Sequence, residues 1–447
     1  MMEKQAGIVI CGAGIAGIAT AHALATRHAR NDILILDPRP PMSLTSAASG
    51  ENYRNWWPQP RLSELSNRSM DIMEELAGEN GENFRISRRG YAYVTRSDDV
   101  NALLNELQTT YGHSGIGEIR AHERASDLPA ATDGADVLID RDDISKRFPH
   151  LSDAVSVVVL VRRAGDLDTQ QLAQHMLNEA KSHGASLLNG EIMSISTRNN
   201  GFHIEAKTRD GTLKIETGIF INAAGPFAKN IASMLDVDLP LECIYQQKVA
   251  IEDHLGAIPR TAPFTIDQDE GFLSWPEETR ALLAEDPEMA WLAEIQPGGV
   301  HVRPEGGNKS RWLKLGWATN STAEEPVWEP SGPDLFPEIV MRGAARMVPG
   351  LEAYLDAMPR KLVHYGGYYT RTRENWPLIG PMGDDGAFMV AGLSGYGSMT
   401  ACAAGELCAS WVTGAPKPDY AHDFSHSRFK DAELMRTICQ IGEAGEL

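Results

Sequence analysis

The residues best placed to do chemistry come early. An apolar run, Gly7 to Cys11, enters Gly12-Ala13-Gly14-Ile15-Ala16-Gly17 and then an alanine-rich stretch with helical spacing. Gly12 permits a tight strand-to-helix turn, Gly14 lets a pyrophosphate approach the backbone, and Gly17 lets helix and strand pack closely. Phosphate oxygens would meet free N–H groups at the positive end of that helix. A second apolar run, Ile33 to Leu36, closes on Asp37, twenty residues after Gly17, where an acid is expected to meet a ribose hydroxyl. Residues 7–25 could also be read as a signal peptide with Ala21-His22-Ala23 at its end, but only Lys4 beside Glu3 precedes them, and the glycines fall at fingerprint positions.

Two later strand ends also carry glycine: Asn222-Ala223-Ala224-Gly225-Pro226 and Gly392-Leu393-Ser394-Gly395-Tyr396-Gly397. A nicotinamide dehydrogenase needs one such turn. A ligand as long as FAD could use all three, one at its pyrophosphate and the others near ribityl and flavin.

The elements that must position these turns follow from periodicity. Strand, helix and strand occupy the first 50 residues, and Leu62, Leu65, Met70, Met73 and Leu76 recur at helical spacing. A strand pair is expected over 85–95 with Gly90 at its bend, a helix over 98–108, loops over 112–136 and a short helix over 142–148. Val155 to Val161 reads as a buried strand, and Asp168 as the cap of a helix ending at Gly184. Strands are expected over 186–196, 202–208 and 212–221, and a helical insertion near 277–292. From 230 to 360 the βαβ alternation gives way to a stretch richer in Pro, Trp and charge. The reading is an α/β (α+β two-domain) protein: a Rossmann-like FAD-binding domain over 1–85, 150–230 and 361–425, a predominantly antiparallel-sheet substrate domain over 86–149 and 231–360, and a C-terminal tail over 426–447.

At 447 residues the chain can bury a large core, and 41 basic against 61 acidic residues give a net charge of −20. That balance argues against nucleic acid or an anionic membrane as partner. No apolar run long enough to span a bilayer follows the N-terminal segment. Five scattered cysteines, Cys11, Cys243, Cys402, Cys408 and Cys439, form no CxxC pair and read as reduced thiols in a cytoplasmic protein without a metal site. His422 and His426 stand four apart, but nothing nearby supplies a third ligand.

In order along the chain, these segments resemble the D-amino-acid oxidase family of flavoproteins, in its branch around sarcosine, N-methyltryptophan and glycine oxidases. The pieces are the fingerprint at 12–17; Thr45-Ser46-Ala47-Ala48-Ser49-Gly50; Gly165 to Asp168; 222–226; Trp312-Leu313-Lys314-Leu315-Gly316; Tyr369-Thr370-Arg371-Thr372 with Pro377 to Gly380; and Ala391 to Gly397. The resemblance implies an FAD-dependent oxidoreductase acting on CH–NH or CH–NH2 bonds. A neutral amine would pass a hydride equivalent to the flavin, the C–N bond would become an imine, and O2 would be reduced to H2O2. It also implies cofactor contacts from Gly12, Gly14, Ile15, Ala16, Gly17, Asp37, Pro38, Arg39, Thr45, Ser46, Ser49, Gly50, Ile192, Ala223, Ala224, Gly225, Gly392, Gly395, Tyr396, Gly397, Ser398 and Met399.

Lys314 stands where sarcosine oxidases have a lysine similar to an oxygen-activating base, and a fixed cation there would stabilise superoxide as it forms. Read without the resemblance, it is a strand lysine with its head in solvent. Gly367 occupies the position of the family's covalent-attachment cysteine, and no histidine lies in the 43–54 loop, so FAD is expected to be noncovalent. Where sarcosine oxidases place two histidines and a carboxylate-holding lysine, this chain has Ala318, Tyr396 and Met399, which disfavours sarcosine itself. Arg54, Trp56, Trp57, Trp317, Tyr369, Arg371 and Tyr396 are the expected substrate contacts, the arginines as forks for a carboxylate and the aromatics as pocket walls. A secondary amine or an aromatic amino-acid-like substrate fits best. The alternatives are a dehydrogenase passing electrons to a quinone or protein, and a flavin-binding scaffold without turnover. A monomer or homodimer is expected.

Overall fold

The structure, a computed structural model, describes residues 2–78, 81–122, 132–198, 201–383 and 386–441. Five parallel strands and one antiparallel edge strand form a six-stranded sheet in the order Ser186–Asn189, Ile33–Asp37, Ile8–Cys11, Ile219–Asn222, Ala387–Ala391, Leu378–Pro381. The four inner strands are almost entirely apolar because both faces are covered. Ile8, Ile10, Ile33 and Ile35 join a core with the helices Ile15–Arg27, Pro60–Ala77, Thr169–Ser182 and Gly397–Thr413. The alternate residues Val9, Cys11, Leu34 and Leu36 face a separate core with Phe202, Ile204, Leu213 and Ile215. Those four come from a smaller sheet of Met2–Gln5, Gly211–Thr217, Gly201–Thr208 and Glu191–Arg198. This three-layer arrangement is the expected Rossmann-like unit.

The two long β patterns expected over 186–196 and 212–221 each break at a glycine, Gly190 and Gly218, and their halves enter different sheets. Periodicity alone could not show this, since the apolar alternation runs through the break. The pair expected over 85–95 is also two strands of different sheets, Ile86–Ser87 and Tyr91–Thr95, with Gly90 at φ 81° between them.

The substrate-side layer is a nine-stranded, mainly antiparallel sheet in the order Leu362–Arg371, Glu242–Glu252, Trp312–Gly316, His301–Glu305, Phe264–Asp267, Tyr91–Thr95, Val157–Val161, Ala135–Leu138, Ile119–His122. Val157–Val161 and Leu362–Arg371 therefore belong to this sheet, not to the cofactor layer in which boundaries at 150 and 361 would put them. The loops expected over 112–136 carry two of its strands, and 123–131 lie outside the described residues.

The insertion near 277–292 is a helix, Glu277–Glu285, with no buried residue, and a 3-10 turn at Ala290–Ala293. The segment expected as a peripheral tail is tied in: Arg428 is 1 % exposed, pairs with Glu374 at 2.6 Å and donates to the carbonyls of Trp376 and Pro377. Residues 442–447 of that segment lie outside the described residues. Among the described residues no helix is long and apolar enough to cross a membrane.

Candidate active site

The fingerprint turn is built as its glycines require. Gly12 has φ 108°, and a Cβ there would stand 2.2 Å from the Ala223 carbonyl oxygen. A Cβ on Gly17 would stand 2.0 Å from the Gly12 carbonyl oxygen, so helix and turn touch backbone to backbone. The Ile15 N–H at the helix start donates to Ser46 Oγ at 3.1 Å. Asp37 accepts from the Ala13 N–H at 2.7 Å and the Arg39 N–H at 2.8 Å. Burial raises its pKa, and those two backbone bonds oppose the rise.

These groups open on a cavity of 340 Å³ walled by Gly12, Gly14, Asp37, Pro38, Ile192 and Ala223 to Gly225. Trp328 closes one side of it, lying 4.4 Å from Phe227 between ring centroids and under the Arg39 guanidinium at 5.1 Å. Through Thr45 and Ser46, which line both, the cavity meets a narrow one of 60 Å³ walled by Ile15, Ser49, Gly50, Gly367, Gly395 and Gly397. That one shares Gly50, Lys248, Tyr369, Gly395 and Ser398 with a third, of 50 Å³, walled by Arg54, Trp57, Tyr91, Phe264, His301, Tyr396 and Met399.

Carboxylate, helix end, glycine-rich slot and aromatic box thus follow one another along one path. The path fits FAD. Asp37 would take the ribose, and the Gly12–Gly17 turn with Ser46 the pyrophosphate. The flat ring would lie against Gly367 and Gly395, where side chains are excluded: a Cβ on Gly367 would meet Ala48 Cβ at 3.0 Å, and one on Gly395 would meet the Tyr369 ring at 2.5 Å.

Of the expected substrate contacts, Arg54, Trp57, Tyr369 and Tyr396 come together at this end. The Arg54 guanidinium lies 4.4 Å over the Trp57 ring and donates to the Trp56 carbonyl, and the Tyr396 ring meets Trp57 edge-on at 5.0 Å. Three others lie elsewhere. Trp56 points the opposite way from Trp57 and stacks on Tyr111 at 4.2 Å. Trp317 sits in the core, its indole N–H donating to Gly298 O at 3.1 Å. Arg371 is cross-strand from Glu242 and paired with it at 3.0 Å. Among the cofactor expectations, Ala16, Gly17, Arg39 and Gly392 do not line these cavities: Ala16 packs within the helix core, Gly17 lies against the Gly12 backbone, Arg39 acts through Trp328, and Gly392 makes a turn at φ 67°.

Lys314 lies one layer behind the wall. Its ammonium is 2.9 Å from Glu51, 3.0 Å from Glu305 and 3.3 Å from the Ser49 carbonyl, so the fixed cation expected on the oxygen side is engaged by two carboxylates. Burial and Arg303 work against its charge, but Tyr365 together with the Glu305 and Glu51 carboxylates prevails and its pKa is raised. Glu305 is held down at about 2 against its burial, by Arg303, Lys314 and Arg85. The cluster braces Ser49 to Glu51, the loop that forms the wall.

Sequence reasoning missed Lys248, Asn52, Tyr91, Phe264 and His301 in the inner cavity and Trp328 over the outer one. His301 is buried and neutral, with its pKa lowered to about 4 by desolvation and Nδ1 3.0 Å from the Gly299 carbonyl. Only an inward-facing charge in a buried strand could have flagged Lys248, and strand pairing, unavailable from sequence, decides which way it faces. Among the described residues no cluster of three or more His, Cys, Asp or Glu could hold a metal ion.

The family model described as FAD dependent oxidoreductase (DAO) matches residues 7–411. The chain belongs to this family of FAD-dependent oxidoreductases. Its fold is similar to L-proline dehydrogenase from P. horikoshii (20% identity, TM-score 0.71, covering 96% of this chain and 99% of that one). It is also similar to glycine oxidase from Geobacillus kaustophilus (18%, 0.70, 95% and 99%) and iminodiacetate oxidase from Chelativorans sp. BNC1 (19%, 0.69, 94% and 98%). A comparison with curated protein sequences gave no match.

Proposed function

We propose that the protein is an amine or amino-acid oxidase: it converts a C–N bond of a small amine to an imine and delivers the electrons to O2 as H2O2. The observation that carries this reading is the shared wall between the glycine-rich slot and the aromatic box, which supports a substrate in the box lying against the cofactor's ring end. FAD, when bound, supplies the two-electron acceptor, and the chain supplies position, dryness and charge. Trp57, Tyr91, Phe264, Tyr369 and Tyr396 line the box, and an amine desolvated there loses its proton more readily than in water. Glu51, the carboxylate on its wall, is committed to Lys314, so no free anion holds the substrate nitrogen in its ammonium form.

Two features support noncovalent FAD. Gly367 offers no nucleophile to the flavin ring, and loop 43–54 contains no histidine. The kinship in fold with glycine and iminodiacetate oxidases supports amino acids and secondary amines as the substrate class.

Oxygen consumption and peroxide release with a panel of primary amines, secondary amines and amino acids test the proposal. Turnover that needs an added quinone and yields no peroxide would make the protein a dehydrogenase instead.

A further inference from the structure

Lys248 is a charged group of the inner cavities that the amine-oxidase reading does not use. It lies in the strand Glu242–Glu252, is 6 % exposed, and lines both the glycine-rich slot and the aromatic box. Its ammonium stands 5.5 Å over the Tyr369 ring. Among the described residues its side chain has no hydrogen-bond acceptor and no carboxylate partner. The carboxylates in the neighbourhood, Glu51 and Glu305, are taken by Lys314 and Arg303.

A buried ammonium without an anion costs several kcal/mol, and a strand position facing an apolar box would ordinarily hold an apolar residue. Retaining a lysine there is explained if an anion arrives with the ligand. The other cation of the box, Arg54, already spends donors on the Trp56 carbonyl and its face on Trp57. Burial and the nearby Lys314 charge lower the Lys248 pKa to about 8, which leaves it predominantly protonated at neutral pH, and an arriving anion would relieve both effects.

We propose that Lys248 is the anion-docking residue of the substrate cavity and takes the carboxylate of an amino-acid substrate. The inference rests on reading the aromatic box as the substrate site and adds to it a residue that sets substrate class: amines carrying an acidic group are preferred over simple alkylamines. Docking the acid at the seam between box and slot leaves the substrate's α-carbon beside the wall that the cofactor shares.

The test uses the FAD-loaded protein and propionate, an acid without an amine, with propionamide as uncharged isostere. Perturbation of the flavin absorbance gives dissociation constants in wild type, K248M and K248R. Met reproduces the four-atom stem of Lys without the ammonium and removes a buried charge, so K248M is expected to fold; melting curves check this, and K248Q serves if it does not. Propionate should bind wild type and weaken about 30-fold or more in K248M, with partial recovery in K248R, while propionamide changes little. Equal propionate affinity in wild type and K248M overturns the proposal, as does parallel loss of both ligands. A wild type that amines reduce but propionate does not perturb also overturns it, and leaves amine oxidation standing.

Discussion

Lys248 and Lys314 stand on neighbouring antiparallel strands, with Lys248 opposite Gly316 and Lys314 opposite Ala250, yet only Lys314 is met by carboxylates. Two buried ammonium groups a short way apart thus have opposite fates. One is neutralised within the protein and braces a loop; the other faces the cavities.

Replacing Lys314 by Met should therefore act on the fold first. It leaves Glu51 and Glu305 without their shared cation, at a cost of about 3–5 kcal/mol. Chemical denaturation should show that loss, and FAD should bind more weakly because Ser49 and Gly50 lose their brace. Unchanged stability with oxygen-dependent reoxidation alone slowed would instead return Lys314 to the oxygen-side role its sequence motif suggests.

Glu305 gives a pH prediction. Its carboxyl titrates at about 2 in the folded chain against an ordinary 4.5, so the unfolded chain binds the proton more readily. The stabilisation is present above pH 4.5 and disappears as pH falls toward 2. E305Q should cost on the order of 3 kcal/mol at pH 7, and the gap to wild type should close across that acid window in denaturant titrations.

Trp328 covers the cofactor cavity from a segment without regular structure, using Phe227 beneath it and Arg39 above. W328A loses a stacking pair and a cation–π contact, about 1 kcal/mol in all. FAD release should quicken roughly fivefold with little change in the melting temperature of the flavin-free protein, as read by stopped-flow fluorescence.

Arg428 carries the C-terminal segment into the core. R428A strands buried Glu374 and should destabilise by about 3–5 kcal/mol, whereas truncation of a peripheral tail would leave the melting curve unmoved.

The cofactor half was legible because backbone geometry dictates its residues: Gly12 and Gly17 have carbonyl oxygens where a side chain would begin, and Asp37 ends its strand at the required distance. The substrate half was legible in part. Trp57 and Tyr396 reach the cavity and Trp56 and Trp317 do not, because a one-residue step reverses the direction of a side chain in extended chain, and aromatic character is the same on either side. Lys314 was visible through its motif, but its partners Glu51 and Glu305 lie far from one another in sequence and meet it only through pairing of strands and loop. Lys248 carries no motif at all.

The central claim is that an amine in the Trp57–Tyr396 box meets the ring of FAD across a shared wall. Anaerobic mixing of the FAD-loaded protein with amines and amino acids, followed by flavin absorbance, tests it most directly. The account predicts that at least one amine or amino acid bleaches the oxidised flavin and that admitting air restores the colour with release of peroxide. A flavin that stays oxidised with every amine offered, in protein shown to be folded and fully loaded, would contradict it.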